Sequence, residues 1–475
     1  MSNGNRDGIA SRREMILESP RLGRLIIWLS LPLFVSGSLQ SLYSIIDTFW
    51  LSRLGTAALG TPTASWPYQG VLMSIGFGLA SSISALTGQY IGAGEYRKAS
   101  RVVGYVLGLL LVIGVPGTIL FWLGRGLYLD LTRMPPDVAT LADRYLAVTL
   151  AGVVFNYLFL TFNFAMSAAG DTRTPTKVSV FTTLLNFVLD PLLIFGLHQG
   201  VVGAALATFL ATMISGLYAL YSFSTGKHGF KIEPGDLVPD SYHLRLIAKV
   251  SLPPTGQRLL TTVGFLVMMG VVAGLGTPVL AAYSIGQVVL SIDHVIVFPL
   301  VRSTSIVVAQ NLGAEKLRRA RKAALTGLTI MTVLVVFYIA GILIGKDVFI
   351  RVFTNDPLVM KTSHNMLLIF GPSVLGFDIL ILTGAIARAS GYTLGISLLG
   401  IARLWVLRIP ISYALAYIRD MGDIGLWLGM SLSNAVSGAV ALAWLLSTRW
   451  VKPIIKQHKT TRKMEEAKKI PVLHR

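Results

Sequence analysis

The sequence predicts an all-α polytopic membrane protein of twelve transmembrane helices, divided into two six-helix halves. Three observations carry this reading. Apolar stretches long enough to cross a bilayer recur along the whole chain, the basic residues gather in alternate loops, and the second half repeats the first. Of 475 residues, 53% are hydrophobic and only 13% charged, with a mean hydropathy of +0.67. A soluble domain carries about 25% charged residues, and about 20 apolar residues suffice to span the hydrocarbon.

Taken in order, residues 1–23 form a basic N-terminal segment. The first lobe, 24–225, holds spans near 24–51, 57–90, 98–128, 137–169, 174–197 and 200–224. The first apolar stretch, "LIIWLSLPLFVSGSLQSLYSII" (25–46), is too long for a signal-peptide core and has no small-x-small cleavage site, so it reads as a retained span. Residues 226–243, "GKHGFKIEPGDLVPDSYH", combine Gly, Pro and charge and read as a linker. The second lobe, 244–448, holds spans near 244–275, 279–312, 319–345, 358–390, 394–418 and 423–448, and a basic tail closes the chain at 449–475.

The formal net charge of +19 could suggest nucleic acid, but its placement excludes that reading. Arg and Lys concentrate in the N-terminus, in alternate loops (Arg97, Lys98, Arg101; Lys227, Lys231; Lys316, Arg318, Arg319) and in the tail. This alternation places both termini in the cytoplasm, and the expected location is the plasma membrane. The tail is either solvated or in contact with anionic headgroups. With no cysteine, disulfides and thiol chemistry are excluded.

The repeat is read from matches at one offset. "SLP" at 30–32 returns at 251–253, "LGT" at 54–56 returns at 275–277, Gln89 matches Gln310, and Gly170 matches Gly391, each at an offset of 221. Six spans per half is an even number, so both halves enter from the same side and the repeat is parallel. Two such bundles with a cavity between them suit a transporter. No G-x-x-x-x-G-K-[ST] is present, so an ion gradient must supply the energy.

Against this apolar background a few polar residues stand at depth. Asp47 lies 8 residues before Gly55, Asp190 10 before Gly200, and Thr208 8 after it. At 1.5 Å per residue all three sit roughly 12–15 Å below the same set of turns. Asn186 is one helical turn deeper than Asp190 on the same face. Two carboxylates, an amide and a hydroxyl suit a hard cation such as Na⁺, or the carboxylates can share a proton. Pro191 cannot donate to the carbonyl of Phe187, which leaves that oxygen as a further candidate ligand. The competing reading is that these groups merely hydrogen-bond neighbouring helices. At the repeat offset Asp47 falls on Met268, Asp190 on Ile409 or Ile411, and Thr208 on Met430, so the scaffold does not demand the cluster.

The second half has its own charges at depth, Asp293 and Asp378 on spans 8 and 10 and Arg258, Arg403 and Arg408 on spans 7 and 11. They either neutralise one another in pairs or leave the aspartates facing a cavity, where they would attract a cationic substrate. His294 reads as a packing residue or a proton relay. Pro32 and Pro253 are expected to kink spans 1 and 7, and "GYVLG" (104–108) and "GLWLG" (425–429) to pack helices closely.

With these residues in hand, the chain resembles the multidrug and toxic compound extrusion (MATE) family, most closely its prokaryotic DinF-like branch. "LSLPLFVSGSLQSLYSIIDTFWLSRLG", "GQYIGAGEYRKA", "SAAGDTRTPT", "NFVLDPLLIFG", "GVVGAALAT" and "ARLWVLRIPISY" carry the resemblance, over about residues 20–448. It implies two lobes in a V around a central cavity, and export of organic cations against inflow of Na⁺ or H⁺. It also implies a first-lobe cation site at Asp47, Asn186, Asp190 and Thr208, with Tyr43 and Tyr145 nearby. The NorM branch uses acidic residues on spans 7 and 10 instead; here span 7 offers Gln257, and Asp378 is an approximate match.

The expectation is a cation-coupled antiporter rather than an enzyme, with no cofactor and H⁺ and/or Na⁺ as coupling ion. Its partners are small organic cations and membrane lipids, and the chain acts as a monomer. Supporting residues are Tyr43, Tyr145, Pro32, Asp293 and Asp378. The rival is a flippase of lipid or lipid-linked sugar, which cavity-facing Arg258, Arg403 or Arg408 would favour. An intramembrane aspartyl protease is more remote, because neither aspartate lies in a G-x-G-D context.

Overall fold

In a computed structural model, residues 3–132 and 134–455 are described, so the expected basic tail lies outside the described residues from position 456 onward. The described residues form helices and turns without a strand. Eleven helices are long and apolar enough to cross a membrane, and a twelfth if the bent pair Pro136–Ala151 and Val153–Ala168 is one span.

Spans 1 to 3 are Leu22–Ser52, Thr56–Gly92 and Tyr96–Thr132. Span 4 is the bent pair, with 46° between its parts at Gly152. Span 5 is Arg173–Pro191 continued by a π-helical turn, Leu192–Gly196, and span 6 is Gly200–Thr225. In the second lobe span 7 is Ser241–Ala273, and span 8 joins Thr277–Ser291 to His294–Gly313. Spans 9 to 12 are Leu317–Arg351, Pro357–Ser390, Thr393–Ile418 and Gly422–Leu446. A further helix, Asn3–Glu18, precedes span 1.

The repeat is written into the backbone. Gly55 and Gly276 adopt φ of 105° and 98° at equivalent turns, and Gly170 and Gly391 adopt 77° and 84°, a region that a side chain rarely enters. Spans 5 and 11 each end in a π turn, Leu192–Gly196 and Ala414–Ile418. A Cβ on Gly203 would meet the Leu193 carbonyl carbon at 2.6 Å, and one on Gly425 would meet that of Leu415 at 2.6 Å. Both pairs are offset by 222, which sets the register of spans 5 and 11. Asp190 is therefore matched by Ser412 and Asn186 by Arg408, not by the isoleucines expected at 409 or 411.

The lobes exchange their first helices. Leu22, Leu25, Ile26 and Leu29 of span 1 are buried in one core with Val297 and Val301 of span 8 and Ala320 of span 9. Reciprocally, Leu246, Ile247 and Val250 of span 7 are buried with spans 2 and 3. Both contacts lie at the end of the bundle where the two lobes begin, called here the termini end. Farther along, span 1 exposes Leu42, Ile45 and Phe49, and span 7 exposes Val263, Leu266 and Met269. The lobes thus join at the termini end and diverge toward the other, which is the expected V.

Spans 1 and 7 run as continuous helices through Pro32 and Pro253, and a bend above 40° at a helix break falls in span 4. One expectation needs correction. Gly104 and Gly108 receive not another span but the linker backbone, since added Cβ atoms would lie 2.5 Å from the Asp236 carbonyl oxygen and 1.9 Å from that of Leu237. Asp236 is buried there, paired with Arg97 at 3.1 Å and Arg101 at 3.5 Å. Gly425 and Gly429 do pack two helices closely, against the backbone of span 11.

Candidate functional site

The first lobe brings the expected oxygen cluster together from four spans. Span 1 presents Tyr43 and, one turn on, Asp47; span 5 presents Asn186 and Asp190; span 6 presents Thr208; span 4 presents Tyr145. Asp190 is fully buried and Asn186 nearly so. The Asn186 amide is oriented by its neighbours. Its NH₂ donates to both Asp190 carboxylate oxygens (3.0 and 2.9 Å) and to the Tyr43 hydroxyl (3.1 Å), while its oxygen accepts from the Thr208 N–H at 3.2 Å. The Tyr43 hydroxyl also meets Thr208 Oγ1 at 3.4 Å. Asp47 is half-buried, and its Oδ1 is a buried atom without a hydrogen-bond partner among the described residues. The charges of Asp47 and Asp190 act on one another, and Tyr145 lies in the field of both.

Local sequence explains the shape of the site. Pro191 has no N–H to continue the helical ladder, and the chain answers with the π turn, in which the Leu197 N–H donates to the Leu192 carbonyl at 2.9 Å. Such turns interrupt helices mostly where a site needs room. Two carboxylates that no arginine among the described residues neutralises, with hydroxyl and amide oxygens around them, fit a hard monovalent cation or a shared proton. Pro32 is not part of this cluster. It lies about four helical turns before Asp47 on the same helix, about 22 Å away along the axis.

The second-lobe charges are arranged otherwise than either sequence reading expected. Asp293 and Asp378 are buried, 1% and 0% exposed, so neither opens onto a cavity. Neither pairs with an arginine among the described residues; they face one another, with His294 Nε2 3.7 Å from Asp293 Oδ1. Arg403 and Arg408 donate to Asn434 Oδ1 at 3.1 and 2.6 Å. Arg258 reaches across the lobe boundary to lie 4.7 Å over the Phe77 ring.

Between the lobes lies a cavity of about 420 Å³ whose lining includes Gln40, Asn163, Ser291, His294, Phe298 and Arg302, and no carboxylate among the described residues. Arg302 of the second lobe donates to the Asn163 side-chain oxygen and, at 3.2 Å, to the Asn163 carbonyl of the first. Sequence reading missed this pair, and it missed the latch at the termini end. There Gln89 donates to the Ala389 carbonyl at 2.9 Å and Gln310 to the Ala168 carbonyl at 2.7 Å, a symmetric exchange across the lobes. The signal was present: "GQYIG" and "AQNLG" each place a buried glutamine three residues before a glycine.

A sequence profile of the MatE family matches residues 32–192 and again 253–414. The chain belongs to the MatE family. The profile matches once in each lobe, its starts offset by 221 and its ends by 222, which is the internal repeat seen from outside. This MatE chain is accordingly an integral membrane transporter. It is 25% identical to "Probable multidrug resistance protein YoeA" of Bacillus subtilis, over 88% of this chain and 92% of that protein. It is 24% identical to "FAD transporter" of Shewanella oneidensis, over 93% and 98% of the two chains. Its fold matches a Pyrococcus furiosus structure described as "Reverse polarity of binding pocket suggests different function of a MOP superfamily transporter", with a TM-score of 0.86 at 23% identity, covering 92% of this MatE chain and 98% of the other.

Proposed function

We propose that this transporter is a cation-coupled antiporter that exports amphipathic organic compounds by alternating access. The observation that carries the proposal is the convergence of Tyr43, Asp47, Asn186, Asp190 and Thr208 in one first-lobe cluster, buried at Asn186 and Asp190 and half-buried elsewhere, without a neutralising arginine among the described residues. A charge pair in that position is costly in hydrocarbon, and uptake of Na⁺ or H⁺ relieves the cost. Ion entry from the open side would pull spans 1, 5 and 6 together, and release on the other side would let them part. The multidrug name of its Bacillus subtilis relative supports the export of drug-like compounds. In this reading the basic loops place both termini in the cytoplasm, the chain sits in the plasma membrane, and each monomer holds a complete pathway.

The substrate class that the family resemblance implies is an organic cation. A second reading, an organic anion or an anionic lipid, is favoured by Arg302 in the cavity lining and Arg258 at the lobe boundary. The flavin-nucleotide cargo in the name of one relative and the reversed pocket polarity ascribed to the Pyrococcus furiosus transporter point the same way.

The test is efflux from vesicles holding the purified protein, with a fluorescent cation and a fluorescent anion as separate cargoes. Na⁺ and proton gradients are imposed separately. Gradient-driven transport that is lost in Asp47→Asn and Asp190→Asn is the expected result, and the cargo transported decides between the two substrate classes. Full activity in both variants would end the coupling proposal.

A further inference from the structure

Outside the transport pathway, the second lobe carries a groove of about 720 Å³ at the termini end, between the start of span 7, the turn into span 11 and the end of span 12. Two cations stand on it, Arg245 and Lys249, and both are exposed. Neither takes part in an ion pair among the described residues, and no carboxylate is in the lining. Lys249 Nζ lies 5.9 Å from the centre of the Tyr392 ring. The remaining walls are apolar: Leu252 and Leu394 are 64% and 60% exposed, and Trp444 closes one side.

The repeat supplies a control for whether the fold requires such a groove. At the offset of 221, Lys249 is replaced by Trp28, Tyr392 by Asp171 and Leu394 by Arg173. In the first lobe the Arg173 guanidinium lies 4.6 Å over the Trp28 ring. Asp171 is paired with Arg12 at 3.5 Å and accepts from the Thr174 N–H and hydroxyl at 2.9 and 2.8 Å. The first-lobe counterpart keeps two exposed cations, Arg24 at the position of Arg245 and Arg173 at that of Leu394, but it carries a carboxylate, Asp171, where the second-lobe groove has Tyr392 and no carboxylate.

We infer that this groove binds one anionic phospholipid of the leaflet on the termini side. Its phosphate would meet Arg245 and Lys249, and its first methylenes would run along Leu252, Leu394 and Trp444. A soluble anion would satisfy the cations but leave the leucines uncovered, and a zwitterionic lipid would bring its own cation to the site. Trp and Tyr at headgroup level are the side chains that prefer this boundary, and basic pockets between membrane helices suit anionic headgroups.

The test uses the purified full chain in neutral detergent, with bound lipid counted by native mass spectrometry. The probes are phosphatidylglycerol, phosphatidylcholine and inorganic phosphate. Arg245→Gln/Lys249→Gln removes the charge. Gly395→Trp fills the groove with the charge intact, since an added Cβ on Gly395 meets nothing within 4 Å. Arg321→Gln/Lys322→Gln removes two exposed cations elsewhere on the same lobe. The expected result is one tightly held phosphatidylglycerol on the unmodified chain, retained at least tenfold less in the first two variants and unchanged in the third. Equal retention in all chains, equal loss in the third variant, equal retention of phosphatidylcholine, or displacement by inorganic phosphate would each overturn the inference. Melting temperatures of all variants, read in parallel, separate lost binding from lost folding. Transport plays no part in the readout, so the result stands apart from the antiport proposal.

Discussion

Replacing Gly92 by alanine tests whether the closed termini end is held by close backbone contact. An alanine Cβ there would lie 2.0 Å from the Gln310 carbonyl oxygen, whereas ordinary van der Waals contact begins at 3.4 Å. The obstacle is backbone, so no rotamer change relieves it. Gly313 makes the reciprocal contact, with its added Cβ 1.9 Å from the Gln89 carbonyl oxygen. Parting the lobes far enough to restore ordinary contact stretches the Gln310–Ala168 bond from 2.7 Å and the Gln89–Ala389 bond from 2.9 Å beyond hydrogen-bonding range.

Each such bond contributes about 1 kcal/mol net, so the pair is worth about 2 kcal/mol. The gain in helix propensity from Gly to Ala is common to both states and cancels. The equilibrium between closed and open termini ends should therefore shift roughly thirtyfold toward open. Because the chain has no cysteine, Ser224→Cys and Ser447→Cys place the only two thiols at the ends of spans 6 and 12, both exposed. Spin labels there report the separation of the lobes. Gly92→Ala and Gly313→Ala should each populate longer distances, whereas Gly256→Ala, with open space around its added Cβ, should not. Distance distributions identical in all three variants, in protein that remains folded, would refute the argument.

Three further perturbations follow from the same contacts. Thr208→Val keeps the shape of span 6 but removes the hydroxyl at 3.4 Å from Tyr43, so the Na⁺ concentration or proton gradient for half-maximal transport should rise about tenfold, the equivalent of one polar contact; an unaltered ion response would remove Thr208 from the site. Gly203→Ala and Gly425→Ala insert a methyl 2.6 Å from equivalent carbonyl carbons. They should cost similar stability, about 1–3 kcal/mol, but only Gly203→Ala, which presses on Leu193 just after Asp190, should impair ion coupling in vesicles. Asp236→Asn weakens the anchor between linker and span 3. Its arginine partners are partly exposed, so the loss should be about 1–2 kcal/mol, seen as a lower melting temperature and faster proteolysis within 226–243.

What could be read from the sequence divides along physical lines. Hydropathy over the length of one membrane crossing is a local sum, so the spans were legible from it, and the repeat was legible from residue matches at one offset. The bend at Gly152 and the break at Asp293 were not, because glycine and aspartate interrupt helices only where tertiary contacts allow it. Pro32 and Pro253 show the converse, since span 1 and span 7 accommodate a proline without a break. At the candidate site, Asp47, Asn186, Asp190 and Thr208 could be grouped because depth is nearly linear in residue number along a helix. Pairing among five second-lobe charges could not be inferred, because it depends on helix rotation, which a one-residue shift changes by about 100°. The Gln89–Gln310 latch joins segments from opposite halves of the chain, and its local signature, a glutamine three residues before a glycine in each half, does not say what the glutamine meets.

The repeat also bears on what kind of site the first lobe holds. Features that the frame requires occur in both lobes: the positive-φ glycines, the crossed glutamines, and the Gly203 and Gly425 contacts under the two π turns. The oxygen cluster occurs in one. In the second lobe the matching positions are Met268, Arg408, Ser412 and Met430, all buried. Arg408 stands at the register of Asn186, its guanidinium tied to Ser433 at 3.1 Å and Asn434 at 2.6 Å. One lobe therefore carries a covalently attached cation at this level, and the other carries two carboxylates with no cation of their own. A permanent charge cannot be exchanged between the two sides of a membrane, but one borrowed from solution can. Under the antiport proposal the ion-dependent change falls to spans 1, 5 and 6, while Asp293 and Asp378 leave the second lobe a separate, fully buried pair of carboxylates.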